Sequence, residues 1–399
     1  MSTDLVEVAI LGAGITGCAL AYHLVERHVG PVVVYDPRTP AAGATGRAAG
    51  IVTEQLWNEW DVEVAHDTKQ EYAELARRWD PSVYSTNGFV RWTRDRVVEP
   101  VLDEALERLK RWKVDARRWD HSDLSRQVPW GRFDDVRAAI GSSSDGVVTP
   151  STMTEIYAER ARQGGTEFWM GTPFASLRRS NGRFELTSAG RTVRARRVVV
   201  AAGAWSKRIL ALVGSLVPLC PYRTQAAELR PSSPFTASFP SVHDIDLDVY
   251  VRPESNGRIM AGDGTERVEA DPETFQPGGD ESFVAHLAES FETRFPGWAD
   301  AELVRAWAGV CAATPDRRPL VGPVAGNEGL FVVAGYNGFG VMRAAGVAQR
   351  LARLLSAGEG SPAELEALAP VNPGRFGPSP STFVPRPGFT LEGGSDPRF

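Results

Sequence analysis

Lysine is nearly missing from this chain. Of its 44 basic residues only Lys69, Lys110, Lys113 and Lys207 are lysine, and the rest are arginine. Arginine is the better bidentate partner of phosphate and carboxylate, but a GC-rich coding sequence gives the same bias, so the excess is no signal by itself. Cysteine is equally scarce. Cys18, Cys220 and Cys311 stand too far apart for a disulfide framework or a zinc site, and no C-x-x-C pair offers iron–sulfur ligation. No run of about eighteen apolar residues occurs, which argues against a membrane span. The opening MSTDLVEVAIL carries two acids and no Lys or Arg, unlike the basic start of a signal peptide. A formal net charge of -6 without basic blocks argues against a nucleic-acid partner. The six histidines lack metal-ligand spacing, so no metal is expected. These absences lead to an expectation of a cytoplasmic globular protein, whose 399 residues suffice for two domains.

What is present begins at once. Residues 6–11 (VEVAIL) read as a buried parallel strand. The turn Gly12-Ala13-Gly14-Ile15-Thr16-Gly17 follows, then a segment of helical periodicity, then a second strand ending in Asp36. A G-x-G-x-x-G run means little alone, but between a strand and a helix, with an acid at the end of the next strand, it acquires a mechanism. The first glycine permits the tight turn and the second lets a pyrophosphate approach the backbone. The third lets helix and strand pack, and the helix N-terminus offers free N–H groups. Asp36 would accept hydrogen bonds from an adenosine ribose.

The rest of the chain alternates between two characters. Residues 41–51 are small and hold Thr45 and Arg47, which suit phosphate oxygens. Helices are expected near 62–79, 101–113 and 281–294, and Thr152-x-x-Glu155 resembles a capping box opening another. Strands are expected at 166–170, 183–188 and 191–196, and a further one at 197–202 running into a glycine turn. From Pro218 to about Ala308, alternating segments separated by Pro, Gly and Ser suggest antiparallel sheet. An apolar strand at 329–334 then precedes Gly335-Tyr336-Asn337-Gly338-Phe339-Gly340 and a helix. A nucleotide-binding unit is thus expected from residues 1–85, 145–217 and 309–358. A substrate unit is expected from 86–144 and 218–308, and residues 359–399 form a Pro/Gly-rich C-terminal tail.

In this order the segments GAGITG, GATGRAAGI, DGVVTP, GTPFASL, VVVAAGAWS, PYRTQ, AATPDRRPLVGP and GYNGFGVMRAAG resemble the D-amino-acid oxidase-like family of FAD enzymes. That family includes glycine oxidase, sarcosine oxidase and dimethylglycine dehydrogenase relatives, and the resemblance spans roughly residues 6–356. It implies an α/β plus α+β fold, a discontinuous Rossmann-like FAD-binding domain with an inserted, largely antiparallel β-sheet substrate domain. It implies that Gly12, Gly14, Ile15, Thr16 and Gly17 hold the FAD pyrophosphate, and that Asp36 and Arg38 lie by the ribose. Thr45, Gly46, Arg47, Ala48, Gly50 and Ile51 would run along the pyrophosphate and flavin edge. Phe174, Ala202 and Gly203 would lie near adenine. Asn337, Gly338, Phe339, Gly340, Val341 and Met342 would face the pyrimidine side of the flavin. The activity implied is oxidation of a C–N bond in an amine, an amino acid or an N-alkyl amino acid, with oxygen or another acceptor taking the electrons. Two alternatives stay open: an FAD-dependent 2-hydroxy acid dehydrogenase or oxidase, and an FAD-binding subunit of a larger dehydrogenase complex.

The same resemblance names substrate-side candidates. Tyr250 matches an active-site tyrosine position, and Arg252 would share its strand face, though a plain sheet role is equally open to both. Gln55 and Trp57 follow the second glycine segment and are expected on the substrate side. Cys311 stands where glycine oxidases carry a carboxylate-binding arginine and sarcosine oxidases a flavin-linked cysteine, so a thioether to FAD through Cys311 is one expectation. Met260 stands where a lysine over the flavin promotes oxygen reaction. Met342, with Arg343 beside it, stands near a second substrate-binding lysine. Tyr250, Arg252, Met260 and Arg343 are therefore the candidates for catalysis.

Overall fold

The computed structural model describes residues 5–377 except 173, 189, 233–234, 236–238, 255–256, 264–268 and 359, and omits the side chains of Phe174 and Asp263. Its first eight-stranded sheet is organised around the strand Arg191–Val200. Leu5–Leu11 lies parallel on one side of it, followed by Val32–Asp36 and Glu167–Met170. On the other side the long strand serves two partners. Its first half pairs antiparallel with Arg183–Ser188, beyond which lies Phe174–Ser180; its second half pairs parallel with Leu330–Ala334, edged by Leu320–Pro323. Apolar runs such as Leu5–Leu11 and Leu330–Ala334 suit this position, because the sheet is covered on both faces. The helices Ile15–Glu26, Glu59–Trp79, Pro150–Gln163 and Ala344–Ala357 share one of those faces.

The second eight-stranded sheet has the order Glu302–Ala313, Cys220–Arg230, Ile259–Asp263, Val249–Pro253, Ser241–Asp244, Phe89–Thr93, Ala138–Ser142, Ala116–Arg118. It is antiparallel apart from the parallel pair Ser241–Asp244 and Phe89–Thr93. One face carries an aromatic core of Trp92, Trp130, Phe283, Phe291, Phe295 and Trp298 under the helix Glu281–Arg294. Fully buried Asp244 is satisfied there by Trp92 Nε1 at 2.8 Å and Arg294 Nε at 2.6 Å. Trp92, Trp130 and Trp298 thus serve core packing. The opposite face of this sheet looks onto a cleft. A small sheet of Ile51–Val52, Gly146–Val148 and Tyr84–Ser85 lies beside it.

Several local expectations change. Thr152-x-x-Glu155 is no capping box, because the helix has already begun at Pro150 with Thr149 as its N-cap; proline at the first turn starts it without needing a side-chain acceptor. The expected strands at 191–196 and 197–202 are a single strand, Arg191–Val200. Beyond residue 359, the helix Pro362–Ala367 turns back onto the body where composition suggests an extended tail. Trp60 Nε1 donates to Ala367 O at 3.1 Å, and Leu368 and Val371 are buried. Residues 378–399 of the expected tail lie outside the described residues.

Candidate active site

One cleft of about 780 Å³ runs between the two large sheets, from Asp36 past the glycine turn to Met342. At its first end the turn is forced by sterics. Gly12 has φ +119°, and a Cβ there would lie 2.4 Å from Ala201 O. A Cβ on Gly17 would lie 2.0 Å from Gly12 O, so helix Ile15–Glu26 packs onto the turn only through glycine. Gly14 is the helix N-cap and supplies no side-chain acceptor, while Thr45 Oγ1 accepts from Ile15 N at 3.2 Å. Asp36 accepts from Ala13 N and Arg38 N, both at 2.9 Å. Each carboxylate oxygen keeps a further lone pair for a hydroxyl facing the cleft. The Arg38 guanidinium stacks 4.5 Å over Trp205.

The far end is a second backbone turn. Asn337, at φ +56°, is buried, and its side chain bonds Gly335 O at 2.7 Å, Thr314 Oγ1 at 3.2 Å and Thr314 N at 3.0 Å. A short polar side chain that bonds locally is what lets a non-glycine residue hold a left-handed conformation. Thr16 Oγ1 donates to Tyr336 OH at 3.2 Å, joining two glycine segments from opposite ends of the chain. Burial raises the Tyr336 phenol well above its ordinary range, so it stays neutral. Helix Glu59–Trp79 grips this turn from behind. Tyr72 OH donates to Val341 O at 2.8 Å, Gly346 N donates to Thr68 Oγ1 at 2.9 Å, and Asp61 pairs with Arg343 at 2.8 Å.

The third wall is a line of side chains on the second sheet. Cross-strand neighbours run Arg91–His243–Tyr250–Gly262–Ala226–Trp307, and all but Gly262 line the cleft. Gly262 leaves room for the tyrosine, since a Cβ there would lie 2.4 Å from Tyr250 OH. Trp307 Nε1 donates to Arg47 O at 3.1 Å, tying this wall to the loop after the first glycine turn.

The cleft gathers most of the expected cofactor residues: Gly12, Gly14, Ile15, Thr16, Asp36, Arg38, Thr45, Arg47, Ala48, Gly50, Ile51, Ala202, Gly203, Cys311 and the whole run Asn337–Met342. Gly17 and Gly46 are not among its lining residues, and the side chain of Phe174 lies outside what the structure describes. Gly17 and Gly46 instead allow backbone close approach; Gly46 N donates to Ala41 O at 2.8 Å. Arg47 differs from expectation, since its guanidinium is tied to Ala42 O at 2.6 Å and Gly43 O at 3.1 Å and so braces its own loop. Among the catalytic candidates only Tyr250 lines the cleft. Arg252 shares its face but turns to Glu254 at 2.6 Å and Pro253 O at 3.0 Å. Met260 is buried within the sheet beside it. Arg343 is sealed behind the Asn337–Met342 turn, where burial pushes its pKa down and the Asp61 carboxylate works against that. Gln55 donates to Phe89 O at 3.0 Å, and Trp57 lies under Arg91 at 4.4 Å. Arg91 and His243 were missed by sequence reasoning; lone residues in short strands carry no local signal.

Residues 7–354 match the family model described as FAD dependent oxidoreductase. The chain belongs to that family. This FAD-dependent oxidoreductase is 25% identical over 391 residues to human mitochondrial dimethylglycine dehydrogenase, covering 94% of this chain but 45% of that protein. It is 24% identical over 346 residues to glycine oxidase of Geobacillus kaustophilus, covering 84% of this chain and 89% of the relative. L-proline dehydrogenase from P. horikoshii shares its fold, with a TM-score of 0.84 at 23% identity over 94% of this chain and 98% of that one. The residues present fit FAD. An elongated cleft joins a glycine-lined helix N-terminus, with an acid one strand away, to a second turn that presents backbone to the far end. Among the described residues no helix is long and apolar enough to cross a membrane.

Proposed function

We propose that this flavoenzyme oxidises a C–N bond in an amine or N-alkyl amino acid. The observation that carries the reading is the cleft itself: a backbone-lined dinucleotide channel that continues into a wall bearing Tyr250, His243 and Arg91. Relatives named for such substrates support it, including 4-methylaminobutanoate oxidase of Paenarthrobacter nicotinovorans and human sarcosine dehydrogenase. Bound FAD supplies a hydride acceptor for the carbon next to nitrogen. The substrate nitrogen loses a proton in the same conversion, and water hydrolyses the resulting imine to a carbonyl compound and a free amine. Tyr250 and His243 contribute hydrogen-bonding groups that orient the amine and hold it near neutral nitrogen. Trp307 and Ala226 keep the adjoining surface apolar and dry. The Asn337–Met342 turn would hold the far end of the cofactor, where backbone N–H groups would offer preorganised stabilisation of the negative charge it gains. The 2-hydroxy acid alternative lacks a relative among those cited.

The decisive test is anaerobic mixing of the purified yellow protein with N-methyl amino acids, secondary amines, glycine and 2-hydroxy acids. Bleaching of the flavin's visible absorbance by amines is expected; bleaching only by hydroxy acids would overturn the reading. A covalent link belongs to the same proposal. Cys311 lines the cleft beside Phe339 and opposite Tyr222, and its thiolate would form a thioether with the flavin 8α-methyl carbon. The new C–S bond releases two electrons and a proton, so a reoxidising acceptor such as oxygen is required. Acid precipitation should give a yellow pellet that turns colourless in Cys311→Ala. Three cysteines without disulfides are also consistent with a cytoplasmic setting.

A further inference from the structure

Behind Thr53 in the cleft wall lies a line of buried charged side chains. Antiparallel pairing of Ile51–Val52 with Gly146–Val148 sets Val52 opposite Gly146, so the next residues along, Thr53 and Asp145, fall side by side. Thr53 Oγ1 donates to Asp145 Oδ2 at 2.7 Å, and Asp145 is fully buried. On the helix Glu59–Trp79, His66 and Lys69 stand three residues apart and so share a face. Lys69 Nζ faces Asp145 Oδ1 at 3.5 Å and pairs on its other side with Glu54 Oε2. Glu54 Oε1 is 2.5 Å from His66 Nδ1.

The line has two different ends. Thr53 lines the cleft, and of the two lone pairs on its hydroxyl Gln55 N uses one, at 3.0 Å. His66, at the other end, has a side chain 35% exposed, whereas Glu54, Lys69 and Asp145 between them are buried. Joining the helix to the small sheet does not call for so many charges, since apolar side chains of the same size hold a core as well as buried ion pairs. The surroundings also bring the two central groups closer in proton affinity. Burial raises the Asp145 carboxyl, against the pull of Lys69, Thr53 and Arg91; burial lowers the Lys69 ammonium, against Asp145 and exposed Asp115. Ser144, whose Oγ accepts from Lys69 at 3.0 Å, and Tyr84, whose phenol is pushed up by burial and by Asp145, stand beside them as neutral groups.

We propose that Thr53, Asp145, Lys69, Glu54 and His66 carry protons between the cleft and solvent. In amine oxidation the proton lost by the substrate nitrogen enters at Thr53 Oγ1, and the Thr53 hydroxyl passes its own proton to Asp145. Lys69 takes one proton from Asp145 as it hands another to Glu54. Glu54 protonates His66 at Nδ1, and the ring releases its other proton from Nε2 to water. One proton enters, one leaves, and no electrons move. Rotation of the hydroxyl and the ammonium, with exchange of the ring protons with water, resets the line. This use rests on the proposed amine oxidation, but the route serves any proton freed in the cleft.

The test follows released protons with a pH-indicator dye in weakly buffered, anaerobic holoenzyme, beside the flavin absorbance, for the native protein, His66→Ala and Thr53→Val. Two reactions are used. In the first, N-methylglycine, 4-methylaminobutanoate or L-proline bleaches the flavin and frees the nitrogen proton. In the second, ferricenium reoxidises flavin reduced beforehand with dithionite, which frees one proton for two electrons with no substrate present. The native protein should release its proton as fast as the flavin changes colour. His66→Ala, altered at the exposed end, should keep its FAD and release protons about 100-fold more slowly in both reactions, and imidazole added to the solution should restore most of the rate. Thr53→Val, which removes the hydroxyl at the cleft end, should be slowed as much and gain nothing from imidazole. A merely structural role gives no such rescue. Unslowed release in either variant, or slow release in His66→Ala that imidazole leaves slow, would overturn the route. Equal rescue of Thr53→Val would overturn it too, since imidazole would then be acting within the cleft. If no amine bleaches the native flavin, the amine reading fails, and ferricenium reoxidation still decides the route.

Discussion

The two walls of the cleft are built from different materials. On the dinucleotide side the working groups are backbone: the turn at Gly12–Gly17, the loop at Thr45–Gly50 and the turn at Asn337–Met342. On the other side they are side chains, set at strand spacing across six strands of the second, mostly antiparallel sheet. A backbone wall demands glycine wherever another chain segment comes close, so it tolerates little change. A side-chain wall can be rewritten one residue at a time while the sheet persists. Substitutions on the two sides should therefore fail differently.

The largest effect is expected at Gly17. Gly17→Val places carbon against Gly12 O and separates the helix from the turn, so neither folded protein nor bound FAD should be recovered, as flavin stoichiometry and circular dichroism would show. Recovery of yellow protein would show that the turn is softer than its packing suggests. Next comes the buried pair behind the far turn. Arg343→Met strands the Asp61 carboxylate, 2% exposed, and should cost about 3–5 kcal/mol in urea unfolding. Replacing Asp61 with leucine in the same chain should recover much of that loss, and an equally unstable double variant would count against the pairing.

The substrate wall should respond without losing cofactor. Gly262→Ala pushes a methyl toward Tyr250 OH and Gln225 O. Full FAD occupancy with about tenfold lower kcat/KM is expected, read from absorbance ratio and steady-state rates, for a loss of about 1.4 kcal/mol. A variant that loses flavin instead would blur the contrast between the walls. The smallest effect is remote from both. Burial pushes the Glu71 carboxyl up, but hydrogen bonds with His23, Tyr157 and Gln349 outweigh it and hold its pKa below the ordinary 4.5. Because the folded pKa is the lower one, this contribution to stability is complete above about pH 4.5 and is lost as the pH falls through the folded value. Glu71→Gln should flatten the acid side of a melting-temperature profile between those limits and leave its neutral side unbent.

Legibility in the sequence followed the same division. The strand Leu5–Leu11, the glycine turn and Asp36 could be read together because one short stretch of chain holds them, and each glycine is demanded by a local clash. Helix Glu281–Arg294 was readable for the same reason. The small strands Phe89–Thr93, Ala116–Arg118 and Ala138–Ser142 were not, since each is too short to show a period and gains its stability from distant partners. Arg252 and Arg343 look like site residues by position along the chain. Their direction is settled by Glu254 and Asp61, partners that the sequence does not announce.

By itself, then, the sequence determined the family, the glycine turn after the first strand and the alternation between segments of the two large sheets. All of these rest on backbone requirements that glycine, small residues and apolar runs satisfy within a few positions of one another. Tertiary structure alone decided which side chains line the second wall of the cleft. Arg91, His243, Tyr250, Ala226 and Trp307 come from five separate strands, and they share a wall only because strand register aligns them. Register is fixed by the packing of the opposite face, where Trp92, Trp298 and Phe295 fill the core, and no local pattern records it.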